Sequence, residues 1–494
     1  MQTQPSIKSK IARGATWMLL FRLTDRGLAF VSTIILARVL VPADFGLVAM
    51  AMSVIALIEL TGAFSLEVGL IQRPHPTRAQ YDTTWTLRLL FGVFGAVATA
   101  AAALPAAKFY NDDRLSLVLF ALAGNWLVSS VDNIGVVDFR RELNFRREYF
   151  YLVSKRLIGL PVTLVLAITY RTYWALIAGT VAGTAGMVLC SYAMHPYRPR
   201  LSLAAWRELL SFSIWLFLNN LLSFLYWRLS HFIIGRSQGA NALGIYTVAT
   251  DFAALASTEI TAPVNRAILP GLARMADSAD GLKHGMLQIT SAVLLVTLPA
   301  AFGMAAIAEP MVLTLLGNQW PGVVGVLQIL AFAGALQSLT ANNHSAYLAA
   351  AKTHVPVYIN AAFVLTLIPL LYLLRAYGVV GVAWAQFGAM VVSVTVSVGL
   401  MHRYLGTSLR DLAGAVWRPL SAAALMALAV YWLDQNQFGF TSALPPYARL
   451  VLGVIAGVVL YIPLAGGLWV LSGRGEGLER VVYERARAVL QRAG

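Results

Sequence analysis

Apolar runs of eighteen or more residues recur from one end of this chain to the other. Each is long enough to cross, as a helix, a hydrocarbon core about 30 Å thick. Across 494 residues they predict an all-α membrane protein of about fourteen transmembrane helices. The expected spans are 14–40, 43–70, 81–106, 114–137, 147–170, 173–194, 207–234, 240–268, 285–308, 320–347, 355–375, 379–402, 411–434 and 449–472. Only 12% of the residues are charged, against about 25% in soluble proteins. No stretch is long and polar enough to form a separate soluble domain.

The net charge of +15 raises nucleic acid as a partner, but the placement of the charges argues against it. Lys and Arg sit in short loops between apolar runs, where the positive-inside rule puts them. With the N-terminus in the cytoplasm, the N-terminus, even-numbered loops and C-terminus hold 24 Lys/Arg and the odd-numbered loops hold seven. That bias predicts a multi-pass protein of the bacterial inner membrane with both termini cytoplasmic. Anionic headgroups of that leaflet are a sufficient partner for most of these residues. The basic stretch from Arg474 onward reads as amphipathic and lying on the inner leaflet. The first apolar segment is too long for a cleavable signal core.

Several functions are disfavoured by what is missing. One cysteine, Cys190, rules out a disulfide framework and a cysteine zinc cluster. The seven histidines are scattered without ligand spacing, so neither a metal nor another cofactor is expected. There is no GxxxxGK[ST] loop, no HExxH and no GxSxG. The chain therefore reads as a transporter rather than an enzyme, with no catalytic residue to name.

Residues 17–57 align without a gap on residues 215–255, at an offset of 198. Ten of the 41 positions are identical, among them Trp17/Trp215, Arg38/Arg236 and Gly46/Gly244. Chance explains matches of Leu, Ile and Ala in such a sequence; Trp, Arg and Gly at identical spacing are harder to explain that way. An offset of six helices keeps both copies in the same orientation, so they form parallel lobes, and transporters built so bind substrate between the repeats and alternate access by rocking. The expected domains are 1–200 (helices 1–6), 201–405 (helices 7–12) and 406–494 (two added helices and the basic tail).

An ionisable residue within a span is expensive and normally faces a cavity or a partner. Arg22, Asp25 and Arg26 share one face of helix 1. Helix 3 carries Arg88, helix 5 Lys155 and Arg156, and helix 7 Arg228 with His231 one turn on. Arginine forks suit phosphate oxygens, so Arg22, Arg26, Arg88, Arg228 and His231 are candidates for a cationic cavity that binds a diphosphate. The acids Asp25, Glu59, Asp132 and Asp251 are candidates for ion coupling, or for salt bridges to those arginines. Glu259 is a further buried acid. Arg88, Lys155 and Arg156 lie close enough to the cytoplasmic end to snorkel.

The opening RGATW, the stretch ILARVLVPADFGLVAMA and the stretch WLFLNNLLSFLYWRLSHFIIGRSQGANALGIYTVA resemble the polysaccharide-lipid flippases (Wzx-type). These belong to the multidrug/oligosaccharidyl-lipid/polysaccharide superfamily, and the likeness is nearest the colanic acid and exopolysaccharide branch. The resemblance implies a two-lobed bundle. It implies translocation of an undecaprenyl-diphosphate-linked oligosaccharide to the periplasmic leaflet for exopolysaccharide, lipopolysaccharide or O-antigen synthesis. It also implies coupling to H+ or Na+, and it brings the polysaccharide polymerase machinery in as a partner. Close relatives often carry an acid shortly after the Arg228 position; Ser230 and His231 stand there instead. Two rivals remain: a multidrug/cation antiporter of the same superfamily, disfavoured by the buried arginines, and a glycosyl polymerase or ligase, disfavoured by short outer loops.

Overall fold

In hydrocarbon every backbone N–H and C=O must be bonded within its own segment or its barrel. The computed structural model meets this with helices, and no strand occurs among the described residues. Described are residues 7–60, 75–206, 214–257, 279–340, 354–435 and 444–473, with positions 70, 71, 73, 261, 343, 347 and 352. The helices are α1 (Ile7–Val39), α2 (Pro42–Leu60), α3 (Arg78–Tyr110), α4 (Arg114–Ser130), α5 (Val137–Arg141), α6 (Phe145–Tyr170), α7 (Trp174–Met194), α8 (Ile214–Ala256), α9 (Ala279–Ala306), α10 (Ala308–Leu315), α11 (Val323–Thr340), α12 (Val355–Leu374), α13 (Gly378–Leu405), α14 (Leu409–Asp434) and α15 (Pro446–Leu471).

Every expected span carries one of these helices or a limb of one. Among the described residues, nine helical stretches are long and apolar enough to cross a bilayer, and α4 with its continuation makes a tenth. Large apolar side chains point outward: Leu104, Val165, Leu365, Val459 and Ile462 are each at least 60% exposed. On α15 only Gly453 and Trp469 are buried. A water-soluble protein does not carry apolar surface on that scale; lipid is the solvent these faces fit.

One expected span is interrupted, and one helix runs through two expected spans with a break between them. The span 114–137 is α4, a break at 131–133, a 3-10 turn Ile134–Val136 and α5, with a bend of 64°. Asn133 satisfies the break: its Oδ1 accepts from the Gly135 amide at 3.0 Å, and its Nδ2 donates to the carbonyls of His195 and Tyr197 at 3.1 and 2.9 Å. An unwound turn is tolerated at membrane depth when its polar groups are met inside the protein. In α8 the second break is Gly239, at φ 79° and ψ −175°, a conformation open to glycine. It splits α8 into limbs matching the seventh and eighth expected spans.

The chain divides into two compact units: Met1–Phe224 with His231–Gly244, and Leu225–Ser230 with Ile245–Gly494. In the first, α6 packs on α7 and α1, and α3 on α4. Gly179 and Gly183 lie against the Gly159 and Lys155 carbonyls, so α6 and α7 meet at backbone distance as small residues allow. The segment 195–206 is strapped along α3: the amides of Arg200, Ser202 and Ala205 donate to Asp82 Oδ1, Thr86 Oγ1 and Thr83 Oγ1 at 3.1, 3.0 and 3.2 Å. The Tyr197 hydroxyl also donates to Asp82. Burial, with this bond, pushes that hydroxyl's pKa up.

In the second unit α9 packs on α14 and α11, and α12 on α13. The two last helices, outside the repeat, lie against α9 and α10. Arg449 forks onto Asp434, Nε to Oδ1 and Nη2 to Oδ2 both at 2.9 Å, with Glu309 at 3.7 Å. Asp434 is 8% exposed. Bonds to charged groups contribute about 1.5–3 kcal/mol, so Arg449→Ala should lower stability by about that much. Thermal unfolding in detergent checks this, and an unchanged midpoint would contradict it. The amphipathic tail from Arg474, together with Glu259, Pro263 and Asn342, lies outside the described residues.

Candidate functional site: a charged cavity in the first unit

Charges placed on four different helices by the sequence meet in one cavity of about 300 Å³ within the first unit. Glu59 comes from the end of α2, Arg88 from α3, Lys155 from α6, and Asp132 from the break after α4; Asn125 of α4 and Thr184 of α7 complete the polar wall. The break explains how an acid can be here. Unwinding at 131–133 swings Asp132 inward, and the residue is 1% exposed.

Asp132 is held on one side only. Its Oδ2 accepts from the Tyr151 hydroxyl and lies 3.4 Å from Arg88 Nη2. Arg88 Nη2 also donates to the Ser129 carbonyl at 3.4 Å. The other oxygen, Oδ1, is buried without a hydrogen-bond partner among the described residues, and so is Oδ1 of Asn125. Buried acceptors are almost always satisfied, so two of them beside one cavity mark where a donor or a cation fits. The cavity balances two carboxylates against two bases, and in a low dielectric the loss or gain of one proton there reorganises every other charge.

The face of α1 is arranged differently. Asp25 Oδ1 accepts from Arg156 Nε at 2.9 Å. The acid thus binds α1 to α6. Trp17 packs on Tyr149 at 5.3 Å and Thr24 Oγ1 lies 3.3 Å from the Tyr149 hydroxyl, which fixes the same seam. Arg22 is half-buried and Arg26 exposed on this face.

The remaining candidates lie apart from the cavity. His231 is in the first unit and buried. Arg228 is half-buried and belongs to the second unit, as does Asp251, which is exposed. The second unit has an uncharged polar cluster: Gln337 Nε2 donates to the Tyr226 hydroxyl at 3.0 Å, and Ser230 Oγ to Gln386 Oε1 at 3.2 Å. It also has an apolar groove of about 550 Å³ between α9, α11, α13 and α14, walled by Phe302, Phe332, Trp384 and Tyr431. No group of three or more His, Cys, Asp or Glu able to hold a metal occurs among the described residues.

Reading the sequence span by span found Arg88, Asp132, Glu59 and Lys155 but did not show that they share one cavity. It passed over Tyr151, Gln337 and Gln386, whose polar groups look unremarkable in apolar runs.

The architecture is shared with known transporters. Its solved neighbours include a structure titled "Lipid II flippase MurJ, inward closed conformation", with a TM-score of 0.74 at 12% identity over 91% of this chain and 99% of that one. Another is an inward-facing multidrug resistance MATE family transporter of the MOP superfamily, with a TM-score of 0.62 at 14% identity, over 78% and 96%. The fold class is that of multi-span, all-α membrane transporters. A family model described as "Polysaccharide biosynthesis protein" matches residues 35–325. The chain belongs to that family. Its relatives include the lipopolysaccharide biosynthesis protein WzxC of Escherichia coli K12, 24% identical over 84% of this chain and 85% of its own length. The succinoglycan biosynthesis transport protein ExoT of Rhizobium meliloti is 24% identical over 93% and 94%.

Proposed function

We propose that this protein is a flippase, not an enzyme: it moves undecaprenyl-diphosphate-linked oligosaccharides across the bacterial inner membrane for polysaccharide assembly. Family membership, with likeness to a succinoglycan biosynthesis transport protein over 93% of the chain, carries the reading. The loop-charge bias supports an orientation with both termini in the cytoplasm. The arginines of α1 supply forks for a diphosphate, and the apolar groove of the second unit offers the isoprenoid tail a wall while it stays in the lipid phase. The lobes 1–200 and 201–405 would rock to alternate access, with 406–494 added outside the repeat.

Coupling to an ion gradient belongs to the first-unit cavity in this reading. Of the four acids, Glu59 and Asp132 line it, Asp25 is engaged with Arg156, and Asp251 stands exposed in the other unit. Asp132 lines the cavity with one oxygen held by Tyr151 and Arg88 and the other buried without a hydrogen-bond partner among the described residues, which suits it to exchange a proton.

Deleting the gene and extracting the lipid-linked intermediates tests the function. The expected result is a complete repeat unit accumulating on its carrier, facing the cytoplasm, with no polymer outside. Repeat units that cross but stay unpolymerised would place the protein after translocation. An unchanged lipid pool with altered drug tolerance would favour the multidrug antiporter instead.

A further inference from the structure

The uncharged polar groups of the second unit border a recess of their own, walled by α8, α11 and α13. It holds about 60 Å³, and none of its lining residues is charged. Tyr226 and Ser230, one turn apart on α8, fix two glutamines from different helices. Gln337 of α11 gives its Nε2 to the Tyr226 hydroxyl, and Gln386 of α13 takes the Ser230 hydroxyl on its Oε1. Each bond uses half of a carboxamide. The other halves, Gln337 Oε1 and Gln386 Nε2, make no hydrogen bond among the described residues. Both glutamines line the recess and are half-buried. The wall thus offers one acceptor and one donor to the same small space.

That pair narrows what can sit there. Both glutamines lie inside expected spans, 320–347 and 379–402, where an amide left facing hydrocarbon is costly, so these atoms face water or a polar ligand. A phosphate only accepts, and a metal cation only takes lone pairs; each would satisfy one glutamine and oppose the other. A hydroxyl donates and accepts, so a hydroxyl-bearing edge satisfies both. Trp227 lines the same recess and is 52% exposed. Its ring lies 5.0 Å from that of Tyr226, which in turn stands 4.1 Å from Phe363 of α12, so the indole is a braced aromatic face. Small-molecule sites combine such a face with a few placed polar groups. The recess is too small for a whole sugar ring. It takes the hydroxyl edge, while the C–H face of the ring rests on the indole outside.

We propose that this recess is a sugar subsite: Gln337 and Gln386 read the hydroxyl edge of a neutral sugar of the cargo, and Trp227 stacks on its face. The subsite rests on the lipid-linked oligosaccharide reading above and adds the residues that select the sugar.

The test titrates purified full-length protein in detergent with two probes. One is a fluorescent undecaprenyl-diphosphate oligosaccharide bearing the host's own repeat unit; the other is fluorescent undecaprenyl diphosphate with no sugar. The wild-type chain should prefer the first by about a hundredfold, because a site built to bond hydroxyls discriminates against a ligand that lacks them. Gln386→Met and Trp227→Ala should each lower that preference by about tenfold and leave binding of the sugar-free probe unchanged. Trp227→Phe, which keeps an aromatic face, should recover most of it. Tyr226→Phe, which loses only the brace on Gln337, should keep most of it as well. An unchanged preference in Gln386→Met or in Trp227→Ala, or a loss of both probes alike, would overturn the subsite. A wild-type chain that binds the two probes equally overturns the subsite and leaves the flippase reading standing; one that binds neither overturns both.

Discussion

Replacing Asp132 with asparagine should leave the protein in the membrane and cut polysaccharide export by about ten- to a hundredfold. The side chain keeps its shape, so the break after α4 and the Tyr151 contact survive. What is lost is the charge facing Arg88 and the buried carboxylate oxygen left without a partner among the described residues. A charge-assisted hydrogen bond contributes about 1.5–3 kcal/mol, and each 1.4 kcal/mol is a factor of ten. Asp132→Ala would say less, because it removes a buried group outright and destabilises the break. Complementation of a deletion strain, with the membrane level of the protein measured alongside, checks the expectation. Full export by Asp132→Asn would remove the acid from coupling. Glu59→Gln, altering the same cavity from α2, should produce a defect of the same kind, while Asp251→Asn should not.

The second large effect is expected on α1. Arg26→Ala should reduce export at least as severely, without loss of insertion, because Arg22 alone on that face cannot grip both phosphates of a diphosphate with planar forks. Arg26→Lys should restore only part of it: an ammonium keeps the charge and loses the two-pronged geometry. The Asp25–Arg156 pair gives a control. Arg156→Ala frees Asp25 to turn toward Arg22 or Arg26, so it should weaken substrate binding more than it weakens the maximal rate. Normal export in Arg26→Ala would end the diphosphate assignment on α1.

Much of the fold was legible because a bilayer makes hydropathy decisive. A run long enough to span and too apolar for water has one local solution, and every expected span carries a helix. The break after α4 was not legible: Asn133 lies inside an expected span, and what breaks the helix there is hydrogen bonding. The break at Gly239 falls between two expected spans. The site was half legible. Intramembrane charge flags Arg88, Asp132 and Lys155 one at a time, but their convergence depends on the rotation of each helix and on the bend after α4. Asp25 shows the limit of spacing arguments: its i+1 and i−3 neighbours are arginines, yet its partner is Arg156, 131 residues away. The repeat was visible as ten identities.

The most direct test of the flippase reading is reconstitution. The purified full-length protein goes into liposomes carrying a fluorescent undecaprenyl-diphosphate oligosaccharide, and a membrane-impermeant quencher reports which leaflet holds the label. The expected result is that the inaccessible pool, about half in protein-free vesicles of randomly distributed lipid, becomes accessible with the wild-type chain and stays inaccessible with Arg26→Ala. Wild-type protein that is folded by its thermal transition and still leaves that pool untouched, with and without a proton or sodium gradient, would contradict the assignment.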